Sequence, residues 1–143
     1  MYSKRLNQWE VVGVELGSAE IDLVEDSYSR NEIIDDMNGV NLGAEMARFH
    51  RCVVLLEAKF NAGDSVLIAP FSSYKKGDEN INAVLVVDHE DSTRKFISRR
   101  STLQLSRLRS VSRKRITRHY GYLPRSYSRK VIGKIKGLIT GVI

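Results

Sequence analysis

The sequence has little of what cross-linked or metal-dependent proteins are built from. Cys52 is the only cysteine among 143 residues, so no disulfide can form within the chain, and a reducing cytoplasm is the expected setting. It lies in the apolar run RCVVLL, where a thiol packs as a small hydrophobe. The three histidines, His50, His89 and His119, are far apart and lack zinc-like spacing. Neither a metal nor any other cofactor is therefore expected. No apolar run of about 18 residues occurs, and the opening MYSKRLNQWE has no signal-peptide core. Membrane insertion and export are not expected.

Acidic residues are missing from the final third. All 17 Asp and Glu lie at or before Asp91, whereas Ser92 to the C-terminus carries 15 Lys or Arg and no acid. This asymmetry says more than the net charge of +6. Uncompensated cations at such density in a foldable segment mark a polyanion-binding surface, with nucleic acid the leading candidate. An acidic protein, or the chain's own acidic first half, competes for the same role. The length suits one domain that buries roughly 70% of its unfolded surface.

Apolar patterning gives a mainly β reading with a terminal helix. Trp9 to Leu16, Arg51 to Phe60, Ser65 to Phe71, Ala83 to Val87, Arg94 to Ile97 and Thr102 to Val111 read as strands. The last contains a shift at Leu108 that a β-bulge explains. After Pro124, the stripe Val131, Ile132, Ile135, Leu138, Ile139 and Val142 predicts an amphipathic helix packed on the sheet. Residues 19–47 break the strand pattern and read as an inserted acidic segment. There Ser29 and Glu32 have capping-box spacing for a short helix ending near Asn38-Gly39. Its acidic run is a candidate cover for the basic surface, so deleting Ile21 to Asn41 should tighten RNA binding.

The most informative stretch runs from Phe49 to Ser73. If its two strands pair antiparallel, His50 and Arg51 at the start of one lie beside Ser72 and Ser73 at the end of the other. A guanidinium and a hydroxyl at one sheet edge suit phosphate chemistry, the first neutralising a phosphorane and the second holding one of its oxygens. His50 is a candidate proton shuttle, because imidazole exchanges protons near neutral pH. Competing readings are a structural hydrogen bond for His50, an ion pair with an upstream carboxylate for Arg51, and turn formation for the serines. Arg107 and Arg109 alternate as an RNA-lining pair. Lys75 and Lys76 join them as candidate RNA contacts.

In order and wording these segments resemble the MazF/PemK family of toxin endoribonucleases. The resemblance is carried by Glu10 to Ser18, by the Phe49 to Ser73 block, and by Leu108-Arg109-Ser110-Val111-Ser112 with Arg115-Ile116. It implies an α+β fold, a small, strongly curved SH3-like barrel of the CcdB/PemK type with a C-terminal helix. It also implies a homodimer and a cognate antitoxin whose acidic segment occupies the RNA groove. The implied reaction is metal-independent cleavage of single-stranded RNA, in which the ribose 2′-OH attacks its own 3′-phosphate to leave a 2′,3′-cyclic phosphate. Arg51 matches the family's catalytic arginine, and Ser72 matches the Thr or Ser that closes the second strand. Cys52 replaces the family's usual proline, and Ser106-Arg107 replaces an acidic residue and Gln. The second change leaves open a catalytically inactive nucleic-acid-binding relative. A CcdB-like gyrase-binding toxin is the other alternative, although Thr140-Gly141-Val142-Ile143 lacks the tryptophan of that terminus.

Overall fold

A computed structural model describes residues 5–17 and 49–141. Seven strands occur among them: β1 (Glu10–Glu15), β2 (Phe49–Val54), β3 (Ser65–Ser73), β4 (Val84–Val87), β5 (Ser101–Gln104), β6 (Arg109–Ser112) and β7 (Ile116–Tyr122). One helix, α1 (Arg125–Thr140), follows. All pairings are antiparallel, in the order β4-β5-β3-β2-β1-β7, with β6 also on β3. The inserted acidic segment and its expected helix lie outside the described residues.

β3 organises the sheet because it changes partners along its length. Ser65 to Ile68 pair with β6, and Phe71 to Ser73 pair with β5. The change falls around Pro70, which has no N–H to donate to a ladder. β5 and β6 follow each other along the same edge, separated by a 3-10 turn at Leu105–Arg107. That turn replaces the single strand and bulge expected over Thr102 to Val111.

Alternation along the strands sends side chains to two faces, each with its own core. Val11, Val53, Ala69, Phe71, Leu85 and Leu103 form one cluster, closed by Phe96, Leu123, Tyr127 and Val131. Val12, Val14, Cys52, Val54, Val66, Ile68, Val111 and Ile116 form the other. Val111 of β6 and Ile116 of β7 both belong to the second cluster, yet no ladder between their strands occurs among the described residues. The curved sheet is thus open, while the mainly β class with a C-terminal helix is as expected.

Three other expectations are corrected. The strand expected over Arg51 to Phe60 begins at Phe49 and ends at Val54, and Ala58–Phe60 form a 3-10 turn. There the buried Asn61 amide donates to the carbonyls of Leu6 (3.0 Å) and Leu56 (2.8 Å), turning the chain back on itself. Arg94 to Ile97 is a coiled turn rather than a strand. Its Arg94 N–H donates to Glu90 O (2.9 Å) and its Ile97 N–H to Thr93 O (3.1 Å). This coiling buries the consecutive side chains Phe96 and Ile97 together, which a half-buried strand cannot do. The helix, finally, packs through Tyr127, Val131 and Ile135, not through the whole predicted stripe. Ile132, Leu138 and Ile139 stay exposed, and Val142 lies outside the described residues. Gly141 ends the helix at φ 71°, its N–H reaching Gly137 O at 2.8 Å, a left-handed cap that glycine adopts without steric cost.

Candidate phosphate-binding cleft

The β2–β3 ladder runs from Val54↔Ile68 to Cys52↔Pro70 and stops. β2 continues to Phe49 along β1, and β3 continues to Ser73 along β5. The two continuations part company, and a cavity of about 760 Å³ opens between them. Phe49, His50 and Arg51 line it from β2, and Phe71, Ser72 and Ser73 from β3. Lys75, the run Phe96 to Arg99, and Ser101 at the start of β5 complete the lining. Among the described residues no carboxylate lines it, whereas Arg51, Lys75 and Arg99 all do. The cleft is therefore a cationic concavity with hydroxyls on its wall, suited to an anion such as phosphate.

The hydrogen bonds set local detail. His50 Nδ1 lies 2.9 Å from the Phe71 carbonyl oxygen. A carbonyl can only accept, so Nδ1 carries the proton and Nε2 is the basic nitrogen of the neutral ring. The ring thereby bridges the strands just where their ladder has ended. Arg99 Nη2 donates to Ser73 Oγ at 3.2 Å. Thr102 Oγ1 donates to Ser72 O at 3.4 Å, tying the end of β3 to β5. The Arg51 guanidinium stacks over the Tyr120 ring, 4.5 Å from its centroid.

The polar loop after β3 is fastened to the same region. Lys75 N–H donates to Asp78 Oδ2 at 2.7 Å. Tyr74 hydroxyl donates to the Glu79 carboxylate; this bond raises the phenol's pKa and lowers that of the carboxyl. Arg100 sits 4.2 Å over the Tyr74 ring and pairs with Asp88 at 2.9 Å.

Of the residues named from sequence, Arg51, His50, Ser72, Ser73 and Lys75 come together in one cleft. Arg107 lines an adjoining cavity of about 300 Å³ that shares Ser72, Ser73 and Lys75 with the first. Lys76 and Arg109 line neither. Arg109 stands opposite Ile68, near enough to Cys52 for its charge to act on the thiol. Burial has the larger effect there and raises the Cys52 pKa far above the ordinary thiol range, as suits a thiol that packs in the core and does not act as a nucleophile. Among the described residues, no three His, Cys, Asp or Glu cluster as metal ligands, and no helix is long and apolar enough to cross a membrane.

Sequence reasoning missed Arg99 and Phe49. Arg99 falls in the gap between the strands expected over Arg94 to Ile97 and Thr102 to Val111, although Phe96-Ile97 followed by Arg99-Arg100 marks an anchored turn with charges at its exit. Phe49 lies one residue before the polar pair and had no apolar periodicity to expose it.

Comparison with known proteins agrees with this architecture. A family model described as PemK-like, MazF-like toxin of type II toxin–antitoxin system matches residues 33–139. No curated protein sequence matches the chain. Among solved structures, MazF from Deinococcus radiodurans superposes with a TM-score of 0.64 at 14% identity, covering 96% of this chain and 98% of its own. An endoribonuclease from a mycobacterial species gives 0.61 at 6% identity, with 99% and 97% covered. An endoribonuclease in complex with its cognate antitoxin, also mycobacterial, gives 0.58 at 7% identity, with 96% and 97% covered. At these identities the likeness concerns the fold.

Proposed function

The chain belongs to the PemK-like, MazF-like toxins of type II toxin–antitoxin systems, and on that premise we propose that it is an endoribonuclease acting on single-stranded RNA at the β2–β3 cleft. The observation that supports this reading is the convergence of Arg51, His50 and Ser72 on one cationic cavity without a lining carboxylate among the described residues. RNA brings its own nucleophile. His50 Nε2 takes the proton of the ribose 2′-OH, and O2′ attacks the adjacent phosphorus. Arg51 neutralises the added charge of the phosphorane while the Ser72 hydroxyl holds one of its oxygens. The P–O5′ bond then breaks, and the proton held by His50 passes to the departing 5′-oxygen. The products are a 2′,3′-cyclic phosphate and a 5′-hydroxyl. Every step draws on side chains alone, so the reaction should proceed in EDTA.

In the cell such an activity cuts mRNA, stops translation and arrests growth in the cytoplasm. A cognate antitoxin with an acidic segment is the natural partner for so basic a cleft, and a homodimer is the expected assembly. The test is incubation of the purified protein with fluorescent oligoribonucleotides in EDTA. Fragments ending in a cyclic phosphate are expected, together with a loss of about 100-fold or more in rate for Arg51→Ala, the scale of one transition-state charge contact. RNA that is bound and shifted but never cut would assign the chain to a nucleic-acid-binding role instead.

A further inference from the structure

The cleft does not end at Arg51. Gly13 of β1 stands between Arg51 of β2 and Arg118 of β7, its register partner on either side. The two arginines are therefore two strand spacings apart at the backbone, about 10 Å, and their guanidiniums converge on one ring. Arg51 lies 4.5 Å and Arg118 4.9 Å from the Tyr120 centroid. Among the described residues neither arginine meets a carboxylate. Two like charges gathered on one aromatic ring, with no carboxylate of the described residues beside them, make a favourable place for an anion.

Gly13 serves this arrangement by having no side chain. A Cβ there would lie 2.6 Å from Phe49 Cζ and 2.8 Å from Thr117 Oγ1, closer than real contacts allow. The vacant position lets the Phe49 ring lie across β1 over Gly13, and 40% of Phe49 remains exposed. This sheet face thus offers a partly exposed aromatic ring over Gly13, in the strand row that joins Arg51 to Arg118, and it adjoins the cleft that Phe49 and Arg51 also line. Guanidinium planes and exposed rings are what unpaired bases stack on, and paired arginines suit the phosphates that join them.

We propose that Phe49, Tyr120 and Arg118 form a second nucleotide subsite across β2-β1-β7, which holds the RNA segment next to the scissile linkage with a base on Phe49 and a phosphate between Arg51 and Arg118. Tyr120 is a positioning residue here, fixing both guanidiniums. The subsite rests on the reading of the β2–β3 cleft as an RNA site, but its binding is measurable without cleavage.

The probe is a fluorescent 12-nucleotide pool of random sequence, 2′-O-methylated so that it has no nucleophile, followed by anisotropy at several salt concentrations. Arg118→Ala should weaken binding roughly tenfold and reduce the salt slope by about 0.7, the value for one phosphate contact on a single strand. Phe49→Ala should weaken it by roughly fivefold to a hundredfold with an unchanged slope, as loss of one stacked base does. Tyr120→Phe should behave as the parent and Tyr120→Leu as Arg118→Ala, a contrast that a merely structural role for the ring does not produce. Phe49→Leu, which keeps the apolar bulk, covers the case in which the alanine variant fails to fold. Parental affinity and slope in Arg118→Ala together with parental affinity in Phe49→Leu would overturn the subsite. So would a polyglutamate peptide that binds as tightly as the RNA pool with the same dependence on Arg118. If the variants lose binding as expected but no oligoribonucleotide is cut, the subsite stands and the endoribonuclease reading falls.

Discussion

The Glu10–His119 pair tests the stability logic of the β1–β7 seam independently of any activity. The Glu10 side chain is 3% exposed, and its Oε2 lies 2.8 Å from His119 Nδ1, on a ring 33% exposed. Its Oε1 accepts the Asn7 N–H at 3.1 Å. Asn7 Nδ2 donates in turn to the Tyr122 hydroxyl at 3.2 Å. His119→Ala leaves a buried carboxylate with one backbone donor. Removing one partner of a fully buried pair costs about 3–5 kcal/mol. Because His119 keeps a third of its surface in water and Asn7 still serves Oε1, a cost of about 2 kcal/mol is expected here. In urea, with a slope of roughly 1–3 kcal/mol per M, the midpoint should fall by about 1 M. Glu10→Gln removes the charge and keeps the shape, so His119→Ala in that background should cost less than about 1 kcal/mol. Equal costs in the two backgrounds would refute the pairing argument, and a shift below about 0.2 M for the single variant would remove it altogether.

Three further outcomes follow from particular contacts. Burial raises the Cys52 pKa above its ordinary value of 9.0, so the folded thiol stays protonated while the unfolded one ionises. Stability should then fall as pH rises past about 9, by up to about 1.4 kcal/mol per pH unit from this group, and iodoacetamide should label Cys52 only in denaturant. Phe96 is 1% exposed and its ring centroid lies 5.7 Å from that of Phe71. Phe96→Ala should cost about 3–5 kcal/mol in urea melts and weaken RNA binding with it, because the turn that carries Arg99 is anchored there. Arg99→Ala, at an exposed position, should change stability by less than about 0.5 kcal/mol. It should nevertheless lower the cleavage rate roughly tenfold, the worth of one charge-assisted contact; an unchanged rate would confine Arg99 to its Ser73 hydrogen bond.

Apolar periodicity made the middle of the sheet legible. β1, β3 and β4 alternate or run apolar and were found within a residue or two, and the antiparallel pairing of β2 with β3 was implied by the loop between them. β7 was not visible, because Thr117, Arg118, His119 and Tyr120 carry no apolar alternation. Its buried side chain is Ile116, with Tyr120 packed partly against the other core, and its hold on β1 comes from backbone ladders and the Glu10–His119 pair. The turn at Leu105–Arg107 looked like a bulge because both place an irregularity between two apolar runs. The actual insertion is three residues long: β5 pairs Phe71 with Leu103, β6 pairs Ile68 with Arg109, and the register differs by three. For the site, chain order alone placed Arg51 beside Ser72. It could not reveal Arg99 or Arg118, whose approach depends on a coiled turn and a strand that pattern does not announce.

The location of the cleft follows from the ladder itself. A strand paired on both sides offers a ligand no backbone groups and little room, and β3 is such a strand over Ile68, which faces both Val54 and Arg109. Beyond Pro70 it keeps β5 but loses β2, while β2 keeps β1 but loses β3. Each strand end thus remains held firmly from one side and open on the other. Polar residues at those ends, His50 and Arg51 on one and Ser72 and Ser73 on the other, meet across the gap with their backbones fixed, the preorganisation that charge stabilisation requires. Had the ladder run on by the same register, His50 would stand opposite Ser72 and Arg51 opposite Phe71 as ordinary cross-strand neighbours, leaving no cavity for a phosphate. The His50 Nδ1 bond to the Phe71 carbonyl takes the place of that missing ladder. It satisfies a backbone acceptor that the open end leaves exposed, and it turns Nε2 into the nitrogen that can receive a proton.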